Sequence, residues 1–199
     1  MGFLTEIPEY VMYTTKGEVV VNPAFDTVLE IQKLYQEEEL TDYEKMNQAL
    51  HMLVENEKIL KSFTPMEEKQ LLDEITKRHI MTKKRHQPKE NNTQVLDFEE
   101  DGDFIFASFM QDYRIDLIEA QGKLSWKKFL YLFNGLSDQT KIKQVMRVRG
   151  MDIPQYNGKN GKQIQEIQEL KSYYALPVKG NGGQSGLDLL FSTLEGLTK

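Results

Sequence analysis

Residues 82–93, "TKKRHQPKENNT", contain no apolar side chain, and this run constrains the architecture of the 199-residue chain more than any other. A core is built from apolar stripes that recur with a fixed period. A charged segment interrupted by Pro88 supplies none, so the periodicity on its two sides has to be satisfied separately. The run reads as a linker. The expected organisation is a hairpin plus helical domain over 1–82, a basic polar linker over 83–93, a helical domain over 94–177 and a tail over 178–199.

Before the linker, "YVMYTT" (10–15) and "EVVVN" (18–22) are β-branched or aromatic runs flanking Lys16-Gly17, a hairpin pattern closed by Pro23. Helical spacing then takes over. Val28, Ile31, Leu34 and Tyr35 form one stripe, and Met46, Ala49, Leu50 and Leu53 form the next, behind a Thr41/Glu44 capping box. Thr64-Pro65-Met66-Glu67 is a stronger start signal still, with a cap residue, proline at the first helical position and a boxed glutamate. Leu71, Leu72, Ile75 and His79 follow it at helical spacing.

After the linker, helical patterns cover about 98–113, about 115–121, 125–134 and 138–149, with a last long helix ending before Pro177. Trp126, Phe129, Leu130 and Phe133 give the cleanest stripe, which Gly135 closes, and Asp138 is the expected cap of the next helix. Ile142, Val145 and Met146 mark that helix, and Ile164, Ile167, Leu170 and Tyr174 mark the last one. "VKGNGGQSG" (178–186) reads as a flexible connector. Leu187, Leu190, Phe191 and Leu194 then lie on one face of a segment too short to be a stable helix alone, so it needs its own domain or a partner to pack on. The fold class is mainly α: a small N-terminal β-hairpin followed by helices, a polar linker, a second helical bundle and a tethered C-terminal amphipathic helix.

Several chemistries are excluded or left without a foundation. There are no cysteines, so disulfides, thiolate nucleophiles and Cys-ligated metal sites are out. No apolar run approaches the ~18 residues of a membrane span, and "MGFLTE" is not a signal peptide, so the expected location is cytoplasmic. Net charge is −6, yet residues 83–93 carry 4 basic groups against 1 acidic one, while residues 1–82 carry 8 against 16. One short basic patch on an acidic protein makes a poor nucleic-acid binder. Lys83, Lys84, Arg85 and Lys89 have no interleaved aromatic on which bases would stack, so a solvated tether explains them better.

"DFEEDG" (97–102) tests a calcium loop. Asp97, Glu99, Asp101 and Gly102 match the first template positions, but Ser108 stands where a bidentate glutamate is required. The better reading is a capped helix start, with Asp97 and Glu100 as a capping box. Gly180, Gly182 and Gly186 imitate a dinucleotide fingerprint, but too few residues follow to complete a βαβ unit. His51, His79 and His86 show no ligand spacing. No nucleophile, base and metal can be assembled, so no enzymatic activity, cofactor or metal is expected. Phe104 and Phe106 do not both fit the stripe of Ile105 and Phe109, which makes them candidate partner-binding residues together with Leu187, Leu190, Phe191 and Leu194.

"DGDFIFASFMQDYRIDLIE", "LSWKKFLYLFNGLSDQTKIKQVMRVRGMDI" and "YYALP", in that order, resemble a family of tailed-phage proteins, the bacteriophage Gp15 family. "NPAFDTVLEI" and "EELTDYEKMNQALHML" are similar to its N-terminal half. The resemblance covers roughly residues 7 to 177, and its most specific part is the set Ala107, Phe109, Asp116, Leu117, Trp126, Phe129, Gly135 and Leu136. It implies a protein encoded in the tail-gene region near the tape-measure gene of long-tailed phages and prophages. The role it implies is a non-enzymatic tail assembly chaperone, which holds the tape-measure protein in solution and recruits tail-tube subunits in the host cytoplasm. Self-association is compatible with that role. The alternatives are a structural component of the mature tail or its connector and, behind it, a small nucleic-acid-binding regulator.

Overall fold

The computed structural model describes residues 9–82 and 94–177. It is mainly helical, with helix in 58% of those residues and one two-stranded antiparallel hairpin. The described residues form two compact units: 9–82 together with 121–129, and 94–120 together with 130–177.

In the first unit β1 (Val11–Thr14) pairs with β2 (Gly17–Val20) in the register Val11↔Val20 to Thr14↔Gly17. Gly17 has φ +129°, the left-handed region a tight turn needs. β2 ends at Val20, beyond which Val21 still donates to Tyr10 O at 2.7 Å while also forming an isolated bridge with Val54. The outer edge of β2 is also covered. Asn56 accepts from Val20 N at 2.9 Å and donates to Glu18 O at 2.8 Å, and Glu55 N reaches Val20 O at 2.9 Å.

Helices α1 (Phe25–Gln36), α2 (Asp42–Leu53) and α3 (Pro65–Ile75) follow, with a 3₁₀ helix, Glu57–Ser62, between α2 and α3. Two of the three predicted capping boxes form, and the third does not, because Asp97 and Glu100 lie in a turn ahead of the helix Gly102–Tyr113, whose N-cap position is Asp101. Thr41 exchanges hydrogen bonds with Glu44, and Thr64 does so with Glu67 behind Pro65. These bonds hold both glutamates below the usual carboxylate range, because they favour the ionised form. Val28, Ile31, Leu50, Leu53, Leu72 and Ile75 are wholly buried, which accounts for the predicted stripes. α3 does not simply run on to His79. It gives way to a single π turn, Thr76–Ile80, a feature that side-chain periodicity does not register.

The second unit contains α4 (Gly102–Tyr113), the later part of α5 (Trp126–Gly135), α6 (Lys141–Gly150) and α7 (Gly161–Tyr173). Its core is Ile105, Phe109, Leu117, Phe133, Ile142 and Val145. Three expectations need correction here. α4 starts at Gly102 rather than near 98, because residues 98–101 form a turn instead. Residues 115–121 are turns, not a helix: the Asp116 carboxylate accepts from Ile118 N and Glu119 N, a local bond that competes with helix. Thr140 holds the N-cap position of α6, and Asp138 lies outside it.

The segment 121–129 also departs from the predicted division, which put it in the C-terminal domain. It joins the first unit by backbone bonds, Phe25 N to Leu124 O at 2.9 Å and Trp126 N to Pro23 O at 2.8 Å. Phe129 stacks on Phe25 at 4.9 Å between ring centroids. α1 has no side-chain cap of its own, so these bonds satisfy an amide at its start.

Candidate functional site

The "DFEEDG" turn is an internal tie, not a ligand loop. Asp97 accepts from Glu99 N and Glu100 N through one carboxylate oxygen, which builds the turn. Asp101 accepts from Asp97 N at 2.9 Å and takes both terminal nitrogens of Arg149, at 2.6 and 2.8 Å. Asp101 is 0% exposed and Arg149 only 7%, so this is a buried, bidentate ion pair. Arg149 also donates to Tyr174 O at 2.6 Å and to Val95 O at 3.1 Å. One guanidinium therefore joins the start of the unit, the turn before α4, the end of α6 and the end of α7. Among the described residues no group of three or more His, Asp or Glu side chains could hold a metal ion.

Arg149 escaped the sequence reading because a single arginine in the last turn of a helix usually answers the helix dipole. Ser108, which fails the calcium template, has a different task. Its hydroxyl donates to Phe104 O at 2.6 Å and accepts from Ile142 N at 3.1 Å, so α4 supplies the cap that Thr140 does not give α6.

α7 is held by polar contacts and by no fully buried side chain. Lys171 Nζ donates to Arg149 O at 2.6 Å and to Met151 O at 2.7 Å, closing the C-terminal carbonyls of α6. Lys141 Nζ donates to the Tyr174 hydroxyl at 2.6 Å and stands over the Phe104 and Tyr174 rings. The predicted inward stripe of Ile164, Ile167 and Tyr174 is only half-buried. Leu170 is 47% and Tyr173 80% exposed, and Tyr156, in the connector before α7, is 70% exposed.

Of the predicted partner-binding residues, Phe104 is half-buried and packs edge-on against Tyr174, while Phe106 is half-buried. Leu187, Leu190, Phe191 and Leu194 lie outside the described residues. The residues most specific to the resemblance are mainly structural in their placement. Phe109, Leu117, Trp126, Phe129 and Leu136 are buried, Asp116 builds a turn, and Ala107 alone among the side chains is exposed. A Cβ on Gly135 would stand 2.9 Å from the Tyr113 hydroxyl, which donates to Leu132 O at 2.9 Å. That close approach explains the glycine.

In the first unit a groove of about 300 Å³ lies between the hairpin and α3, lined among others by Met12, Tyr13, Phe63, Gln70 and Leu71. Tyr13, at its side, is 78% exposed. The closing pair Thr14↔Gly17 and the Val21 N to Tyr10 O bond fix which β1 residues bond inward, and leave the backbone groups of Val11 and Tyr13 directed away from β2. His79 is the buried titratable group of this unit. Burial, with Lys127 and Arg78 nearby, pushes its imidazole down to about 4.

These features define a mainly helical protein of two small units, stabilised by caps and one buried ion pair, with open apolar surface on each unit. The chain belongs to the family described as Bacteriophage Gp15 protein, whose model matches residues 7–176. No curated protein and no solved structure matches it. A phage protein with a structural or assembly role is the coarse function this membership supports. Among the described residues no helix is long and apolar enough to cross a membrane.

Proposed function

We propose that this protein is a non-enzymatic tail assembly chaperone, acting in the host cytoplasm, that binds the tape-measure protein and recruits tail-tube subunits to it. Family membership supports the phage assembly setting. The observation that carries the binding role is the groove beside β1, where an exposed tyrosine and a strand edge occur beside Met12, Phe63 and Leu71, with Glu67, Glu74 and Arg78 also lining it. Such a surface can take an amphipathic helix or an extended segment of a long partner chain. Its volume, about 300 Å³, is at the small end for a ligand pocket and suits one or two anchoring side chains.

Affinity capture of the tagged protein during phage induction, with nuclease present, tests the proposal. Tape-measure and tail-tube proteins are expected in the capture, and this protein is expected to be missing from purified particles. A fixed copy number in particles would instead establish a structural component of the tail. Loss of the capture on nuclease treatment would point to the nucleic-acid-binding reading.

A further inference from the structure

The two edges of the hairpin in the first unit are treated differently. The outer edge of β2 is covered, since Asn56 accepts from Val20 N and donates to Glu18 O, and Glu55 N donates to Val20 O. On β1 the backbone groups of Val11 and Tyr13 point away from β2, and among the described residues no hydrogen bond reaches them from that side. An open strand edge is a pairing template, and another extended backbone is what matches its alternating donors and acceptors. α3 and the π turn after it run beside this edge. The Lys16–Glu67 pair at 3.5 Å marks one end, and the rings of Tyr10 and His79, 5.7 Å between centroids, mark the other, so β1 and α3 lie side by side in opposite directions. The charged side chains lining the groove are already matched within the protein, Glu67 by Lys16 and Glu74 by Arg78 at 2.5 Å. Met12, Phe63, Gln70 and Leu71 supply uncharged lining.

We infer that this edge takes one extended, uncharged segment of a partner protein, added to the hairpin as a further strand between β1 and α3. The inference rests on the reading of this groove as the binding surface and specifies how the partner is held there. Backbone pairing selects the conformation. A helix satisfies its own backbone internally and would leave the edge groups of Val11 and Tyr13 as they are, whereas a strand takes them up. The matched pairs select neutrality, because a charged side chain in the segment would compete with a pair already formed or lie unpaired beside it. Length follows from the wall: Glu67 to Arg78 measures roughly 16 Å at ~1.5 Å per helical residue, the span of about five extended residues. Alternate side chains of such a segment point to opposite faces, one set toward the face of Met12 and the other toward Tyr13, which is 78% exposed. Apolar residues are therefore expected at every second position.

A displayed library of random decapeptides, selected on the full chain, is the probe, with folding of each variant checked by circular dichroism. Enriched peptides are expected to carry uncharged stretches with apolar residues at every second position, and to bind with Kd of about 1–100 μM. The Tyr13 N–H faces away from β2, so a proline there removes an edge donor and keeps the hairpin bonds. Tyr13→Pro is expected to weaken binding at least about tenfold, and Tyr13→Ala only about threefold. Methylating the backbone nitrogens of a selected peptide one at a time tests the same geometry without touching the protein. Alternate positions should lose at least about tenfold, and those between should stay within about threefold. Absence of enrichment over an unrelated protein overturns the inference. So do losses that fail to alternate along the peptide, or a folded Tyr13→Pro chain that binds like wild type. A dimer in sedimentation equilibrium that Tyr13→Pro abolishes overturns it in favour of a second copy at this edge. Tape-measure protein captured equally by wild type and Tyr13→Pro would sink the inference and leave the chaperone reading standing. Alternating peptide binding with no tape-measure protein in the capture would do the reverse.

Discussion

α3 and α7 have the same kind of amphipathic sequence and opposite fates. α3 seals Leu72 and Ile75 completely, opens on a capping box and is continuous with the core of its unit. α7 seals no residue, lacks a side-chain cap and is held by Lys171, Lys141 and the Arg149 tie. Apolar spacing tells which way a helix faces. It does not tell whether enough neighbouring surface exists to cover that face. A helix seated on charged hydrogen bonds keeps apolar area available for other contacts, and that is where the second unit differs from the first.

Removing the tie should produce the largest effect. Arg149→Met leaves the Asp101 carboxylate buried without its counter-charge and is expected to cost about 3–5 kcal/mol in denaturant unfolding. Hydrogen exchange should show α7 losing protection first. The double variant Asp101→Leu/Arg149→Met is expected to recover at least half of that loss, because an apolar pair has no desolvation to offset. No recovery would mean that the backbone bonds to Val95 and Tyr174 matter more than the ion pair.

The contrast between the helices is tested next by truncation. Ile75→Ala, at a site with 0% exposure, is expected to lose about 2–4 kcal/mol, whereas Leu170→Ala should stay within about 0.5 kcal/mol. Similar losses at both sites would mean that α7 is as firmly packed as α3, and the comparison would be wrong.

A pH titration of stability probes the first unit. His79 has a folded pKa of about 4, below its ordinary value, so the unfolded chain binds its proton first as pH falls. Stability should be unaffected above about pH 6.5 and should drop between pH 6.5 and 4, by at most about 3 kcal/mol, then level with respect to this group. The glutamates of the two capping boxes lose their contribution only at still lower pH, since their folded values are depressed. His79→Leu should flatten the upper window and leave the lower one. A slope that persists in the variant would assign it to another group.

A further effect concerns Gly135. A methyl group there meets the Tyr113 hydroxyl at 2.9 Å, so Gly135→Ala is expected to destabilise by about 1–3 kcal/mol. Adding Tyr113→Phe should relieve part of it by removing the oxygen. If the alanine variant is neutral, the close approach is not the reason for the glycine.

Much of the local structure could be read directly from the residues. Thr41/Glu44 and Thr64-Pro65-Glu67 mark helix starts because a cap is a contact between residues three apart, complete within one turn. The hairpin and the stripes of α1, α2, α3 and α5 are legible for a similar reason, since period and side-chain type are local quantities. Residues 115–121 deceived because an Asx turn and a helical turn draw on the same short stretch, and the Asp116 carboxylate decided between them. The candidate surfaces were legible only in outline. Phe104, read as a sticky residue, spends its ring on Tyr174, while the exposed positions include Tyr13 and Tyr173, which periodicity does not single out.

The sequence by itself determined a mainly helical, cysteine-free protein with a hairpin at its start and a family signature along most of its length. Those properties rest on composition and short-range pattern, which survive without any knowledge of where distant residues meet. Only the tertiary structure decided that Asp101 meets Arg149, that Ser108 caps α6, that residues 121–129 complete the first unit and that α7 leaves a face open. Each of these joins residues far apart in the chain, and no local propensity records a pairing whose stabilisation exists only after both segments have been brought together.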